Sequence, residues 1–336
     1  MEFNNTPVRT SKNFNINNIK LDVIIPENLS KFSNACVSSD VALLNEDLKF
    51  VYGVGLDYSK ANYKGKIELK DGDDVKILFN FDKNNLNLID ELLIDANGNA
   101  TITIEYKSSC LERCFHSGAL KLIANASSNV NVNLVNFLNE DSANFEAIEN
   151  VLNENSNVNY TIIDIGAKTS VSNYYSNIVG DNSKNDLKTV YLGTGEQVKD
   201  INYIAELYGK KTNIDIDVQG ALSGKAKKNF KGTIDFKKGC KKAKGDENEF
   251  CMLLSDNAKS IALPMLLCSE DDVEGNHSTA SGKVDNQVLF YIMSRGLSYK
   301  EAVKLLVKSN FVTIIDRITD NDLKNEIIEI IDKKLD

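Results

Sequence analysis

The sequence predicts a mainly β chain that ends in α-helices, the β part being either a sandwich or a parallel β-helix. Three observations carry this. From Val130 onward, short β-branched or aromatic runs recur, many alternating apolar and polar residues with the period of a half-buried strand. Clusters of Gly, Asn, Asp and Ser separate them every ~10 to 16 residues, the turn chemistry that short strands need. After Asp285 the apolar residues return at helical spacing instead.

In chain order, residues 1–60 read as an N-terminal extension. Residues 40–105 also read as strands, for example Val75-Lys-Ile-Leu-Phe-Asn-Phe and Ala100-Thr-Ile-Thr-Ile-Glu-Tyr. Residues 61–284 form the β core, with runs such as Val130-Asn-Val-Asn-Leu, Asn159-Tyr-Thr-Ile-Ile, Leu187-Lys-Thr-Val-Tyr-Leu and Asn213-Ile-Asp-Ile-Asp-Val. Asn is abundant in and between these runs, and helical patterns are missing between about residues 155 and 280. Stacked coils with side-chain ladders show both features, which leans toward the β-helix. Residues 285–336 are helical. The pattern from Asn286 to Ser294 stops near Gly296; Ser298 with Glu301 forms a capping box before the stripe Ala302, Val303, Leu306 and Val307; Thr319 or Asp320 caps a last helix carrying Leu323, Ile327, Ile330 and Ile331.

Composition narrows the function. The 336 residues, 42% hydrophobic with a mean hydropathy of -0.27, describe a soluble chain able to bury a core. A net charge of -9 argues against general nucleic-acid affinity, which needs a basic surface. The start Met-Glu-Phe-Asn-Asn-Thr is unlike a secretory signal, and no apolar run approaches the ~20 residues that span a bilayer. The expectation is a cytoplasmic protein, without nucleic acid or membrane as partner, whose six cysteines are thiols.

The richest stretch for chemistry runs from Cys268 to Gly296. His277, one of two histidines, follows Asp271, Asp272 and Glu274, and an imidazole near carboxylates can ligate iron or shuttle a proton. Cys251 lies upstream between Phe250 and Met252. If its strand stacks one coil from the strand ending at Cys268, both thiols approach His277 and make a soft and borderline ligand set. Cys240 sits in a lysine-rich tract whose positive field should favour thiolate and suit sulfur transfer or docking of an acidic partner, the alternative being that the lysines guard exposed strand edges against aggregation. Cys110, Cys114 and His116 have metal-like residue types in one short segment but need further ligands. Gly193-Thr-Gly195 lacks the ending of a phosphate loop and reads as a turn; with no Walker motif, the chain is expected to bind no ATP.

The elements Asp271-Asp272-Val273, His277-Ser278-Thr279-Ala280 and Leu289-Phe290-Tyr291 through Ser294-Arg295-Gly296 resemble, in order and spacing, the signature of the SufB/SufD family of iron-sulfur cluster assembly proteins. The likeness extends upstream through Gly220–Gly232 and Leu253-Leu-Ser-Asp256, over roughly residues 160 to 315. It implies a right-handed parallel β-helix with C-terminal α-helices, and a short SufD-like member in which a helical N-terminal domain is absent or reduced. SufD-like members carry a required His at the position of His277. SufB-like members follow theirs with Glu, where this chain has Ser278. SufB-like scaffolds also carry a cysteine near Cys251, although an ungapped match of the Leu pair brings it to Glu249, two residues away on the same strand face.

The resemblance further implies a scaffold subunit rather than an enzyme. Its partners would be a SufC-like ABC ATPase, a SufB-like subunit or a second copy of itself, and a cysteine desulfurase or other sulfur donor. Its cargo would be iron or a transient iron-sulfur cluster at His277 and Cys251, helped by Cys268 and the carboxylates. Leu289, Phe290, Arg295, Val303, Leu306 and Phe311 would dock the ATPase, the alternative being that these apolar stripes pack on the chain's own β-helix. Two other readings compete: a structural stabiliser that holds no cluster, and a β-helix carbohydrate-active enzyme using Asp271, Asp272 and Glu274. The absence of Trp and of a secretory signal counts against the latter.

Overall fold

A computed structural model describes residues 1–8, 16–27 and 29–336. The chain opens with two short paired strands, β1 (Glu2–Phe3) and β2 (Ile19–Lys20), and β3 (Ala35–Val37) then pairs antiparallel with β5 (Asp74–Phe81). From β4 (Tyr63–Leu69) to β19 (Val273–Lys283) the strands alternate between two long parallel sheets, each strand pairing with the one two places on. This is a parallel β-solenoid of about eight turns. A sandwich is excluded, because these pairings are parallel and join successive turns rather than hairpins. Residues expected as strands between 40 and 62 are instead irregular, with only a bridge from Ala42 to Lys66.

Register holds through the body. Phe115, Ala143, Thr169, Val198, Lys227 and Lys259 form one row running through five parallel pairings. Alternation therefore sends one set of side chains into the lumen between the sheets and the other outward. In the lumen Tyr160, Tyr174, Tyr203 and Phe230 make successive edge-to-face contacts at 5.1, 5.7 and 6.1 Å. The buried hydroxyls bond to Asn150 (Tyr160), Asn185 (Tyr174) and Thr189 (Tyr203), so burial leaves none of the three unsatisfied.

The turns stack as regularly as the strands. Ser127, Asn155, Asn182, Lys211 and Lys242 all have φ between 56° and 63°, and each donates its backbone N–H to a carbonyl in the turn above. Asn tolerates this left-handed conformation, which accounts for part of the Asn enrichment. Side-chain ladders account for more, as Asn157 donates to Asn129 and Asn159 to Asn131 at 2.8 and 3.0 Å. Beside this column Gly180 and Gly209 let adjacent turns touch: a Cβ on Gly209 would lie 2.2 Å from the Gly180 carbonyl oxygen, and one on Gly180 would lie 2.1 Å from the Glu154 nitrogen. Backbone cannot yield as a side-chain tip can. Gly209→Ala is expected to lower unfolding free energy by about 3 kcal/mol, read from urea denaturation, while Gly195→Ala, with open space around its Cβ, should act only through its φ of 60°.

Both outer faces are covered. On one, Phe3 packs on Phe145 with ring centroids 5.2 Å apart, and Asn4 is buried with its amide on Asp200 at 2.7 Å, while Lys231 bonds Asp200 at 2.6 Å and the Asn4 carbonyl at 3.0 Å. On the other lie the helices α1 (Asn286–Ser294), α2 (Tyr299–Ile315) and α3 (Asn321–Lys334). The Ser298–Glu301 capping box forms as expected, and Asp320 rather than Thr319 caps α3. Val307, Phe311, Ile314, Leu323, Ile327 and Ile331 close over Val135, Ile163, Val190 and Leu192 of the second sheet. Among the described residues no helix is long and apolar enough to cross a membrane.

Candidate functional site at the C-terminal end of the lumen

The solenoid ends on β18 (Lys259–Cys268) in the first sheet and β19 in the second, and each has a neighbour on one side only. Val273 packs into the lumen core, and a Cβ on Gly275 would meet Phe236 there, so the alternation of β19 aims His277, Thr279 and Ser281 the same way. His277 is exposed because no further turn covers it. Glu274 points to the opposite face and bonds Lys244 at 2.7 Å. Asp271 and Asp272 lie exposed in the preceding turn. The carboxylates that surround His277 in sequence therefore do not surround it in space.

The two expected thiols do not meet at His277 either. Cys251 is fully buried on β17 (Ala243–Leu253), where its register partner is Ser281, four residues beyond His277. Four residues of strand are about 13 Å. Cys268 ends β18 at the other end of the rung, exposed, with its thiol on the Glu270 carbonyl at 3.0 Å. Among the described residues no three His, Cys, Asp or Glu side chains come together as a metal-holding group.

What does pair with His277 in register is Glu247, on the same lumen face of β17. Its side chain reaches across to β16 (Lys227–Phe236), where a Cβ on Gly232 would fall 2.2 Å from the carboxyl carbon; only Gly leaves it room. Glu247 is buried with neither carboxyl oxygen hydrogen-bonded. Burial, and then the nearby Glu249, push its carboxyl up to about 8. Two residues on, Glu249 accepts from buried Lys228 at 2.7 Å and from the Tyr191 hydroxyl at 3.0 Å, leaving Oε2 without a partner. A Cβ on Gly220 would strike the Tyr191 ring, so this glycine admits the ring beside its register partner Cys251. Burial raises the Cys251 thiol above its ordinary value, with Lys228 pulling it down and a bond with Tyr191 acting the same way. Sequence patterns missed Glu247, Glu249, Lys228 and Tyr191, which come from three strands. Their signal is only that charged or phenolic residues stand at inward positions of a strand period.

The remaining candidates are placed differently. Cys240 is buried in its turn, and burial followed by Glu270 pushes its thiol up to about 11, reversing the thiolate expectation: Lys238, Lys241, Lys242 and Lys244 are exposed and Lys228 and Lys231 pair with buried carboxylates, while the sulfur loses water. Phe311 is 1% exposed, and Val303 and Leu306 pack beside it on the second sheet, so that stripe serves the chain's own fold. Leu289 is also buried. Phe290, at 74%, and Tyr291, at 59%, stay exposed, and Arg295 lies over the Tyr291 ring at 5.2 Å. His116 turns into the lumen, and its ring nitrogens are taken by partners other than Cys110 and Cys114, with Nδ1 on Asn144 at 2.5 Å and Nε2 on Asp90 at 2.9 Å. Burial disfavours the charged ring, but Glu146 and Asp90 outweigh it and hold His116 above its ordinary value. Gly193 ends a strand and Gly195 with Glu196 forms the turn after it.

A family model described as SUF system FeS cluster assembly, SufBD core domain, matches residues 79–310, from within β5 through α1 and into α2. The chain belongs to the SufB/SufD family. Among its relatives, the iron-sulfur cluster assembly protein SufD of Bacillus subtilis is 30% identical over 166 residues, 49% of this chain and 38% of that protein. A SufBD family iron-sulfur cluster assembly protein of Pyrococcus horikoshii is 32% identical over 151 residues, 44% and 33% of the two chains. One from Synechocystis is 25% identical over 130 residues, 39% and 27%. The chain thus matches well under half the length of these SufBD relatives.

Proposed function

We propose that the chain is a scaffold subunit of a SUF-type iron-sulfur cluster assembly complex, working at the C-terminal mouth of its solenoid. The observation that carries this is His277 standing exposed on the lumen face of the last strand, above the buried Glu247 and beside two open sheet edges. Unpaired edges offer backbone donors and acceptors to another chain. A SufB-like subunit or a second copy, added along β18 and β19, would cover His277 and bring the ligands this chain lacks. Iron suits imidazole and carboxylate, and a persulfide donor would bring sulfane sulfur that a two-electron reductant, such as a small thiol pair, converts to the sulfide of a cluster held between subunits. The exposed Phe290, Tyr291 and Met293 of α1 give an ABC-type ATPase an apolar foothold next to that mouth.

The test is anaerobic reconstitution with iron and sulfide, followed by visible absorption, with and without the ATPase and a second scaffold chain. His277→Ala should reduce retained iron roughly tenfold or more, as expected when an imidazole ligand is lost, while Ser278→Ala on the outward face should not. Equal cluster yield from wild type and His277→Ala would overturn the reading. A second reading, a stabiliser that holds no cluster, draws on the separation of both thiols from His277; it predicts normal complex formation by His277→Ala and no iron held by this chain in any combination.

A further inference from the structure

The Cys110 and Cys114 sulfurs lie 3.9 Å apart in the loop between β7 (Asn99–Ser108) and β8 (Phe115–Ala124). They are held there from outside the loop. The Asn139 side-chain amide donates to the Cys110 and Glu112 carbonyls at 3.2 and 2.7 Å, and the Cys114 N–H donates to the Ser142 hydroxyl at 2.9 Å. Cys114 is fully buried, Cys110 is partly open, and the loop tip between them carries Leu111 at 93% exposure. One sulfur therefore meets solvent while the other waits behind it. None of this belongs to the mouth of the solenoid.

We propose that Cys110 and Cys114 are a thiol–disulfide exchange site that takes a small-molecule disulfide as its co-substrate. The Cys110 thiol loses its proton and its sulfur attacks one sulfur of R–S–S–R, breaking that bond and releasing R–S⁻, which takes up a proton. Cys114, deprotonated in turn, attacks the Cys110 sulfur and expels the second R–S⁻, which is protonated likewise. The two protein thiols are oxidised by two electrons to one disulfide, and the small disulfide is reduced by two electrons to two R–SH. Closing the bond needs the sulfurs to move from 3.9 Å to about 2.05 Å, within the reach of side-chain rotation in an anchored loop. Burial, and then the neighbouring Cys114, push the Cys110 thiol up to about 11, so little of it is thiolate and the exchange is slow at neutral pH. Proximity, not acidity, drives the second step, because the resolving thiol is already in contact.

The full chain is equilibrated anaerobically at mildly alkaline pH in graded ratios of oxidised to reduced glutathione, acid-quenched, alkylated and mapped by mass spectrometry. The expected product is a Cys110–Cys114 peptide lacking two hydrogens and carrying no glutathione, formed while Cys240 and Cys251 remain thiols. Cys114→Ser should trap glutathione on Cys110, and Cys110→Ser should leave Cys114 unmodified. Should Cys114→Ser fail to fold, the wild-type map decides alone: two free thiols in oxidised glutathione, or a stable glutathione adduct on Cys110, overturns the proposal. These outcomes are independent of whether His277 holds iron.

Discussion

Lys228→Met should cost the protein about 3–5 kcal/mol, among the largest losses available from one side chain. Lys228 Nζ and Glu249 Oε1 lie 2.7 Å apart with both side chains fully buried, and the cation also sits about 6 Å above the Tyr191 and Phe230 rings. Removing the lysine leaves a carboxylate in the lumen with only the Tyr191 hydroxyl for company. The double replacement Lys228→Met/Glu249→Leu removes both desolvated charges and fills their volume with apolar atoms, so most of the loss should return. What remains is the orphaned Tyr191 hydroxyl, worth about 1–3 kcal/mol. Because each turn of a solenoid contacts mainly its neighbours, the damage should concentrate at the C-terminal end. Hydrogen exchange should show amides of β16 and β17 losing protection first, with those of β8 little changed. Additive losses in the double variant would mean that the pair is not coupled and that its contact contributes nothing beyond packing.

How far this site could be seen in the sequence follows from the range of the interactions. Strand alternation and helix caps are local, so Asn159-Tyr-Thr-Ile-Ile and the Ser298–Glu301 box declared themselves within a few residues. The β-helix itself needed more, since turn spacing alone fits a sandwich equally well; Asn content only leans toward it and the family resemblance decides, because the ladders themselves join residues a full turn apart. The N-terminal cover was not legible because Asn4 finds Asp200, and Phe3 finds Phe145, across more than a hundred residues. The same limit hid the lumen. Glu247 reads locally as one more acid in Gly245-Asp-Glu-Asn-Glu, and only register places it under His277 and over Gly232. Proximity in sequence also misled. Asp271, Asp272 and Glu274 crowd His277 along the chain, yet strand alternation and the turn send them elsewhere, and Lys238, Lys241 and Lys242 beside Cys240 face water while its sulfur does not.

Glu247 should make the protein progressively less stable from mildly acidic to mildly alkaline pH. Its carboxyl is pushed up to about 8 by burial and by Glu249, against 4.5 for the free side chain. Between those values the folded chain keeps a proton that the unfolded chain releases. The unfolded state then binds fewer protons, so stability falls as pH rises, by up to about 1.4 kcal/mol per pH unit, and levels off above pH 8. Across the window the loss is on the order of 5 kcal/mol. Glu146, also pushed up to about 8 by burial, and His116, held above its ordinary value, act with the same sign, so wild type carries more than one such slope. Glu247→Gln keeps the shape over Gly232 but cannot ionise. It should match wild type near pH 5 and exceed it increasingly toward pH 8, the difference in urea midpoints isolating this one residue. Parallel pH profiles for the two proteins would show that Glu247 is already ionised in the folded chain. Under the proposed function this proton bears on the mouth of the solenoid: with burial pushing the Glu247 carboxyl up to about 8, a cation held by it would displace the proton, and iron retention by wild type is then expected to strengthen with rising pH more steeply than in Glu247→Gln.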